Sequence, residues 1–197
     1  DQRLVGDAMR AGFQTGIPAI GDAANRGKLE VIDSVIRAAP SARELRHRVE
    51  HAQVVSPSDL ARFAALGVIA SVQPPHAVED KGWAETRVGS ERIAGAYAWR
   101  TLRQAGAALV FSSDLPGSDW SPFYGLYSAI TRQDTSGAPP GGWYPAQRMT
   151  PEEAVRGYTV WSAWAGFDEQ DAGTIAVGRR ADLTVLDVDP FRAEPRV

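Results

Sequence analysis

Four short apolar runs, at residues 13–20, 46–51, 68–72 and 107–111, each follow a stretch of helical periodicity or helix-stop signals, and this leaves few folds open to the chain. Leu4, Ala8 and Met9 share one helical face ahead of Gly12, and Leu29, Ile32, Val35 and Ile36 share another that Pro40 ends. Ser56-Pro57-Ser58-Asp59 reads as an N-cap with proline at the first helical position, and that helix stops at Gly67. Residues 73–89 are expected to form a long polar and aromatic loop. Ser90 then caps a helix through Ile93, Tyr97, Trp99 and Leu102 that ends at Gly106. Helices and strands in strict alternation with short connections predict an α/β protein with parallel strands and right-handed crossovers. An open sheet of four such strands exposes its edges, which favours aggregation or pairing, a homo-oligomer among the outcomes. A closed (β/α)8 barrel takes about 250 residues. The expectation is therefore the C-terminal half of a TIM barrel, with the remainder upstream.

Beyond the fourth run, residues 117–147 are rich in Gly and Pro and read as a functional loop or lid. Thr150-Pro151-Glu152-Glu153 fits a capping box that opens a helix carrying Ala154, Val155, Tyr158 and Trp161. After Gly173 the texture becomes that of a β-hairpin, with Thr174-Ile175-Ala176-Val177, a turn at Gly178-Arg179-Arg180, and Leu183 to Leu186. The expected division is thus residues 1–171 as a partial barrel and residues 172–197 as the start of a separate β-segment.

Charge narrows the partners. The net charge is −3 and the arginines are scattered, so neither nucleic acid nor an anionic membrane is an expected partner. No apolar run is long enough to span a bilayer, and a cytoplasmic location is the default expectation. The chain has no cysteine, so any metal must be held by nitrogen and oxygen.

Chemistry concentrates where Ala107 to Phe111 gives way to Ser112-Ser113-Asp114-Leu115-Pro116. A carboxylate at the C-terminal lip of a buried strand is where parallel α/β proteins keep their active sites, although Asp114 also fits the plain role of opening a turn. In Arg46-His47-Arg48-Val49-Glu50-His51 the strand period puts His47, Val49 and His51 on one face. His51 ends its strand at the lip that Asp114 occupies. His47, near the strand start, is read as structural. His76, in Gln73-Pro74-Pro75-His76, follows the third strand, and Asp80, Trp83 and Arg87 share its loop. A catalytic zinc keeps three protein ligands and an open position, and His51, His76 and Asp114 supply that number, though spacing alone does not force them together.

Phe13-Gln14, Ile20-Gly21-Asp22, Val49-Glu50-His51-Ala52-Gln53, Ser71-Val72-Gln73-Pro74 with His76 and Asp80, Ala96-Tyr97-Ala98-Trp99-Arg100, Ser113-Asp114 with Pro116, and Gly173 with Gly178 and Ala181-Asp182-Leu183 occur in an order that resembles amidohydrolase family 3. That branch of the amidohydrolase superfamily includes N-substituted formamide deformylases. The resemblance implies a (β/α)8 barrel whose last strand leads into a small β-sandwich, and a hydrolase with a divalent metal, zinc above all, that acts on amide-type small molecules. It implies His51 as the metal ligand on the sixth barrel strand. It implies Asp114, after the eighth, as metal ligand and as the catalytic group that carries a proton from water to the leaving group. His76, by its motif, is implied to line the substrate pocket. Asp80 and Trp83 are expected from their shared loop to contact the substrate, with a polar surface loop as the plainer reading.

The chain departs from the family at one position within these motifs. Where the family reads Ile-His-Ala-Ile-Gly-Asp, this chain has Ile17-Pro18-Ala19-Ile20-Gly21-Asp22, so a ligand position holds a residue with no donor atom. Proline in a central strand is also expected to cost a ladder hydrogen bond. The competing expectations are a degenerate barrel remnant that binds no metal and a metal-free α/β ligand-binding module. For these 197 residues in isolation, little or no activity is expected.

Overall fold

The computed structural model describes residues 2–195, and the expectations for residues 1, 196 and 197 lie outside it. The chain divides into two compact units, one of residues 1–72 and 82–109, the other of residues 73–81 and 110–197.

The first unit contains α1 (Gln2–Arg10), β1 (Gly16–Ala19), α2 (Asp22–Ala38), β2 (Arg48–His51), α3 (Pro57–Leu66) and β3 (Ile69–Val72). The strands stand in the order β1-β2-β3-β4, where β4 (Ala108–Phe111) begins in this unit. The β1–β2 and β2–β3 pairs are parallel, as the alternation requires. Leu29, Ile32 and Val35 of α2, Val49 of β2, Phe63 of α3 and Ile69 of β3 are all buried in the core of the unit. Gly67 ends α3 at φ 67, where its amide reaches back to the carbonyls of Phe63 and Ala64. A side chain there would have to adopt the left-handed conformation that glycine takes without strain.

Pro18 leaves the ladder intact, contrary to expectation. The Arg48 amide donates to the Thr15 carbonyl, and donors alternate along a parallel strand. Residues 17 and 19 therefore turn their nitrogens to β2, while the nitrogen of Pro18 faces the other edge of β1. A proline on that side removes no bond from the β1–β2 pair.

Residues 73–89, expected as a loop, are largely helical. Pro74 and Pro75 occupy the first helical positions of α4 (Pro74–Asp80), where a missing amide costs nothing, and α5 (Ala84–Arg92) follows. The single helix expected from Ser90 to Gly106 is interrupted. A 3-10 turn at Ile93–Gly95 leads to Tyr97 at φ 50, and α6 covers only Trp99–Gln104.

The second unit holds α4, the end of β4, α7 (Pro122–Thr131), α8 (Pro151–Tyr158) and α9 (Val160–Ala165). Thr150 and Glu153 form the capping box that the sequence predicts. Gly157 has no room for a side chain, since a Cβ would stand 2.3 Å from the Phe111 ring. That contact seats Phe111 edge-on against Tyr158 and Trp161. The end of β4 is thereby fixed just before Ser112. Among the described residues no strand follows β4: Ile175, Val177 and Val185 are exposed, and a two-stranded ribbon without a surface to cover is marginal in water.

Candidate functional site

His76 and Asp114 meet within the second unit. His76 stands on α4 with its side chain mostly buried, and its Nε2 lies 3.6 Å from Oδ2 of the half-exposed Asp114. The separation is too long for a good hydrogen bond. Two ligand bonds of about 2.0–2.2 Å meeting at a tetrahedral ion hold their donor atoms about 3.3–3.6 Å apart, which is the spacing found. The pair thus fits a shared cation better than a direct contact.

Local backbone explains how the pair is held. The Phe111 packing anchors β4, and the Gln73 amide at the end of β3 donates to the Ser112 hydroxyl at 3.0 Å. The Tyr158 hydroxyl donates to the Ser112 carbonyl at 3.4 Å. Asp114 itself is left-handed, at φ 60, in a tight turn where the Gly117 amide donates to its carbonyl at 2.6 Å. Such a conformation is uncommon for a residue with a side chain and is concentrated at functional sites. Sequence reasoning passed over Gln73 and Ser112, although a buried glutamine at the end of an apolar strand was a usable signal.

Asp80 is half-buried one turn beyond His76 on α4, and the i, i+4 spacing puts the two on one helix face. Lys81 continues that helix end, bonding the Val78 carbonyl at 3.0 Å and the Asp134 carboxylate at 2.6 Å. Trp83 is exposed and belongs to the first unit, beside Arg87 in a shallow recess.

His51 also belongs to the first unit, as the last residue of β2. It has φ 72, and the buried Ala52 has φ 42. Two consecutive left-handed residues break the strand period, so the alternation that would align His51 with Val49 stops before it reaches the imidazole. His47, by contrast, is a core residue. Its Nδ1 accepts from the Thr15 amide at 3.2 Å, and burial pushes its pKa down against the opposing effect of the Ala42 carbonyl. The first unit also has a cleft of about 390 Å³ lined by Asp22, Arg26, Ser56, Glu91 and Arg92. Its arginines are already engaged, Arg26 with Asp59 at 2.8 Å and Arg92 with Asp22 at 3.6 Å.

Residues 2–197 match the model of a family described as the amidohydrolase family. The chain is 34% identical over 188 residues to the protein LONG AFTER FAR-RED 3 of Arabidopsis thaliana, covering 93% of this chain and 31% of that protein. It is 30% identical over 187 residues to the N-substituted formamide deformylase of Arthrobacter pascens, covering 93% of this chain and 33% of that enzyme. A crystal structure of an uncharacterized metal-dependent hydrolase from Pyrococcus furiosus superimposes with a TM-score of 0.78 at 32% identity, over 97% of this chain and 37% of that one. The chain spans about a third of the length of these relatives.

Proposed function

The chain belongs to the amidohydrolase family and folds as part of a (β/α)8 barrel, and on that premise we propose that it carries the metal-binding and proton-transfer residues of a hydrolase that cleaves non-peptide carbon–nitrogen bonds. The observation that carries this reading is the 3.6 Å separation of His76 Nε2 and Asp114 Oδ2. An imidazole and a carboxylate are donors that suit zinc, manganese or iron, and of these zinc is the proposed ion. His51 is proposed as a further ligand, supported by its place at the end of β2 and by its family motif.

When bound, such an ion polarises the scissile carbonyl and lowers the pKa of water to about 7. The chain's own residues do the rest. Asp114, with its carboxylate half-exposed, accepts the proton released as water attacks the carbonyl carbon and returns it to the nitrogen that leaves. His76 would hold the same ion beside Oδ2 of that carboxylate. The Gln73–Ser112 bond and the Phe111 packing keep Asp114 from swinging out of line. Asp80 and Trp83 are proposed to contact the substrate, a small amide, formamide or cyclic amide. Residues 172–197 are proposed to belong to a β-sandwich completed elsewhere in the full-length protein, supported by the exposure of Ile175, Val177 and Val185.

The test is amine release from a panel of N-substituted formamides, linear amides and cyclic amides by the full-length protein, with and without chelator. Turnover that is lost in chelator, restored by zinc and abolished in Asp114→Asn supports the reading. Turnover unchanged in Asp114→Asn overturns it. A second reading, a barrel remnant without a metal, is favoured by one observation only, the donorless Pro18. It requires that the protein hold no zinc.

A further inference from the structure

Two sequence motifs that the proposed chemistry leaves without a role, Ala52-Gln53 and Ala96-Tyr97, meet inside the first unit. The amide of Tyr97 donates to the Gln53 carbonyl at 2.7 Å, and the Gln53 side-chain amide donates to the Tyr97 hydroxyl at 2.7 Å. The main chains stay together for the next two residues beyond this pair. Val54 and Ala96 form an antiparallel bridge, and the Val55 amide donates to the Gly95 carbonyl at 2.9 Å. The approach is close enough that a Cβ on Gly95 would overlap the Val55 carbonyl. On the opposite side the Val54 amide donates to the Ile20 carbonyl at 2.8 Å, and Asn25, fully buried, donates to the Val54 carbonyl at 3.0 Å.

This clamp grips the chain immediately after the left-handed residues His51 and Ala52. Side chains other than glycine hold that conformation only where their surroundings enforce it. Tyr97, buried and itself at φ 50, holds Gln53 by both main chain and side chain. We propose that Tyr97 is a positioning residue for His51: by fixing Gln53 it fixes the bend at residues 51–52, and so the direction in which the Cα–Cβ bond of His51 leaves the end of β2. The inference rests on the proposed role of His51 as a metal ligand. The ligand's orientation is then set by a buried phenol from a later crossover rather than by the strand that carries it.

The test is a cobalt(II) titration of the full-length protein, read by visible absorption, for the wild type, His51→Ala, Tyr97→Phe, Gln53→Met and the double variant. Partners that orient a ligand are worth about 10–100-fold in metal affinity, and an indirect one belongs at the lower end. Tyr97→Phe and Gln53→Met are each expected to lower cobalt affinity about 10-fold and to shift the ligand-field band, and the double variant is expected to lose no more than either single one. If Tyr97→Phe does not fold, Gln53→Met, which removes the same bond from a half-buried position, decides the matter by the same readout. Wild-type affinity and band in these variants, or losses that add in full, overturn the proposal. Cobalt binding lost in His51→Ala but kept in Tyr97→Phe removes the positioning role alone. A wild type that takes up no cobalt, or a His51→Ala that binds as the wild type does, removes the ligand role of His51 and the positioning role with it.

Discussion

Nε2 of His76 and Oδ2 of Asp114 lie 3.6 Å apart at the ends of two separate strand-to-helix connections, α4 after β3 and the turn after β4. Neither connection alone sets that distance. The Gln73–Ser112 hydrogen bond of 3.0 Å ties the residue before α4 to the residue after β4.

Gln73→Leu keeps much of the buried volume and removes that link. Zinc affinity is expected to fall by about 10-fold, in the range of other interactions that orient ligands, with circular dichroism unchanged. Affinity equal to the wild type would show that the separation is held by packing alone.

Stability should fall in mild acid because of His47. Burial lowers its folded pKa below the usual 6.5, so above that pH the residue is neutral in both states and makes no difference. As pH falls below 6.5 the unfolded chain takes up a proton that the native core refuses, and the native state loses ground until the folded pKa is passed. Urea midpoints measured from pH 8 to pH 5 are expected to decline more steeply for the wild type than for His47→Gln. Parallel profiles would remove His47 as the cause.

A second acid response comes from Asp134. The Lys81 ammonium, then the Ser136 hydroxyl and the Ala138 amide, hold its carboxyl below the usual carboxylate range. The stabilisation is present above pH 3.8 and is lost as pH falls below that value. Lys81→Met is expected to flatten this acid limb while leaving the slope near pH 6 unchanged.

Gly157→Ala would drive a methyl group into the Phe111 ring, at 2.3 Å from Cδ2. Overpacking of this kind costs about 1–3 kcal/mol. Denaturant unfolding should show that loss, and a change under about 0.5 kcal/mol would mean that the ring moves aside freely.

Much of the scaffold was legible because it is written in apolar content. Val49, Ile69 and Leu109 lie in runs that are short, buried and bounded by turn residues, and the strands fall inside the predicted ranges. The Thr150–Glu153 box is a local pattern with a local cause, and it forms as expected. His51 and Asp114 were readable as strand-end residues, but their left-handed φ values were not, since neither position carries glycine. The approach of His76 to Asp114 was legible only as a possibility, because Pro74-Pro75 gave no sign of the element that carries it. Paired prolines mark a loop in most settings, and here they start the helix that presents the imidazole.

The central proposal is that His76 and Asp114 hold one divalent ion, the reading carried by the 3.6 Å between their donor atoms, with His51 tested as a further ligand. Isothermal titration of the full-length protein with zinc, for the wild type and for His51→Ala, His76→Ala and Asp114→Ala, tests it most directly. The account expects saturable zinc binding in the wild type and a loss of at least about 10-fold in affinity for each variant with the fold retained. Zinc binding that is equal in all four proteins, or absent from the wild type, would contradict it.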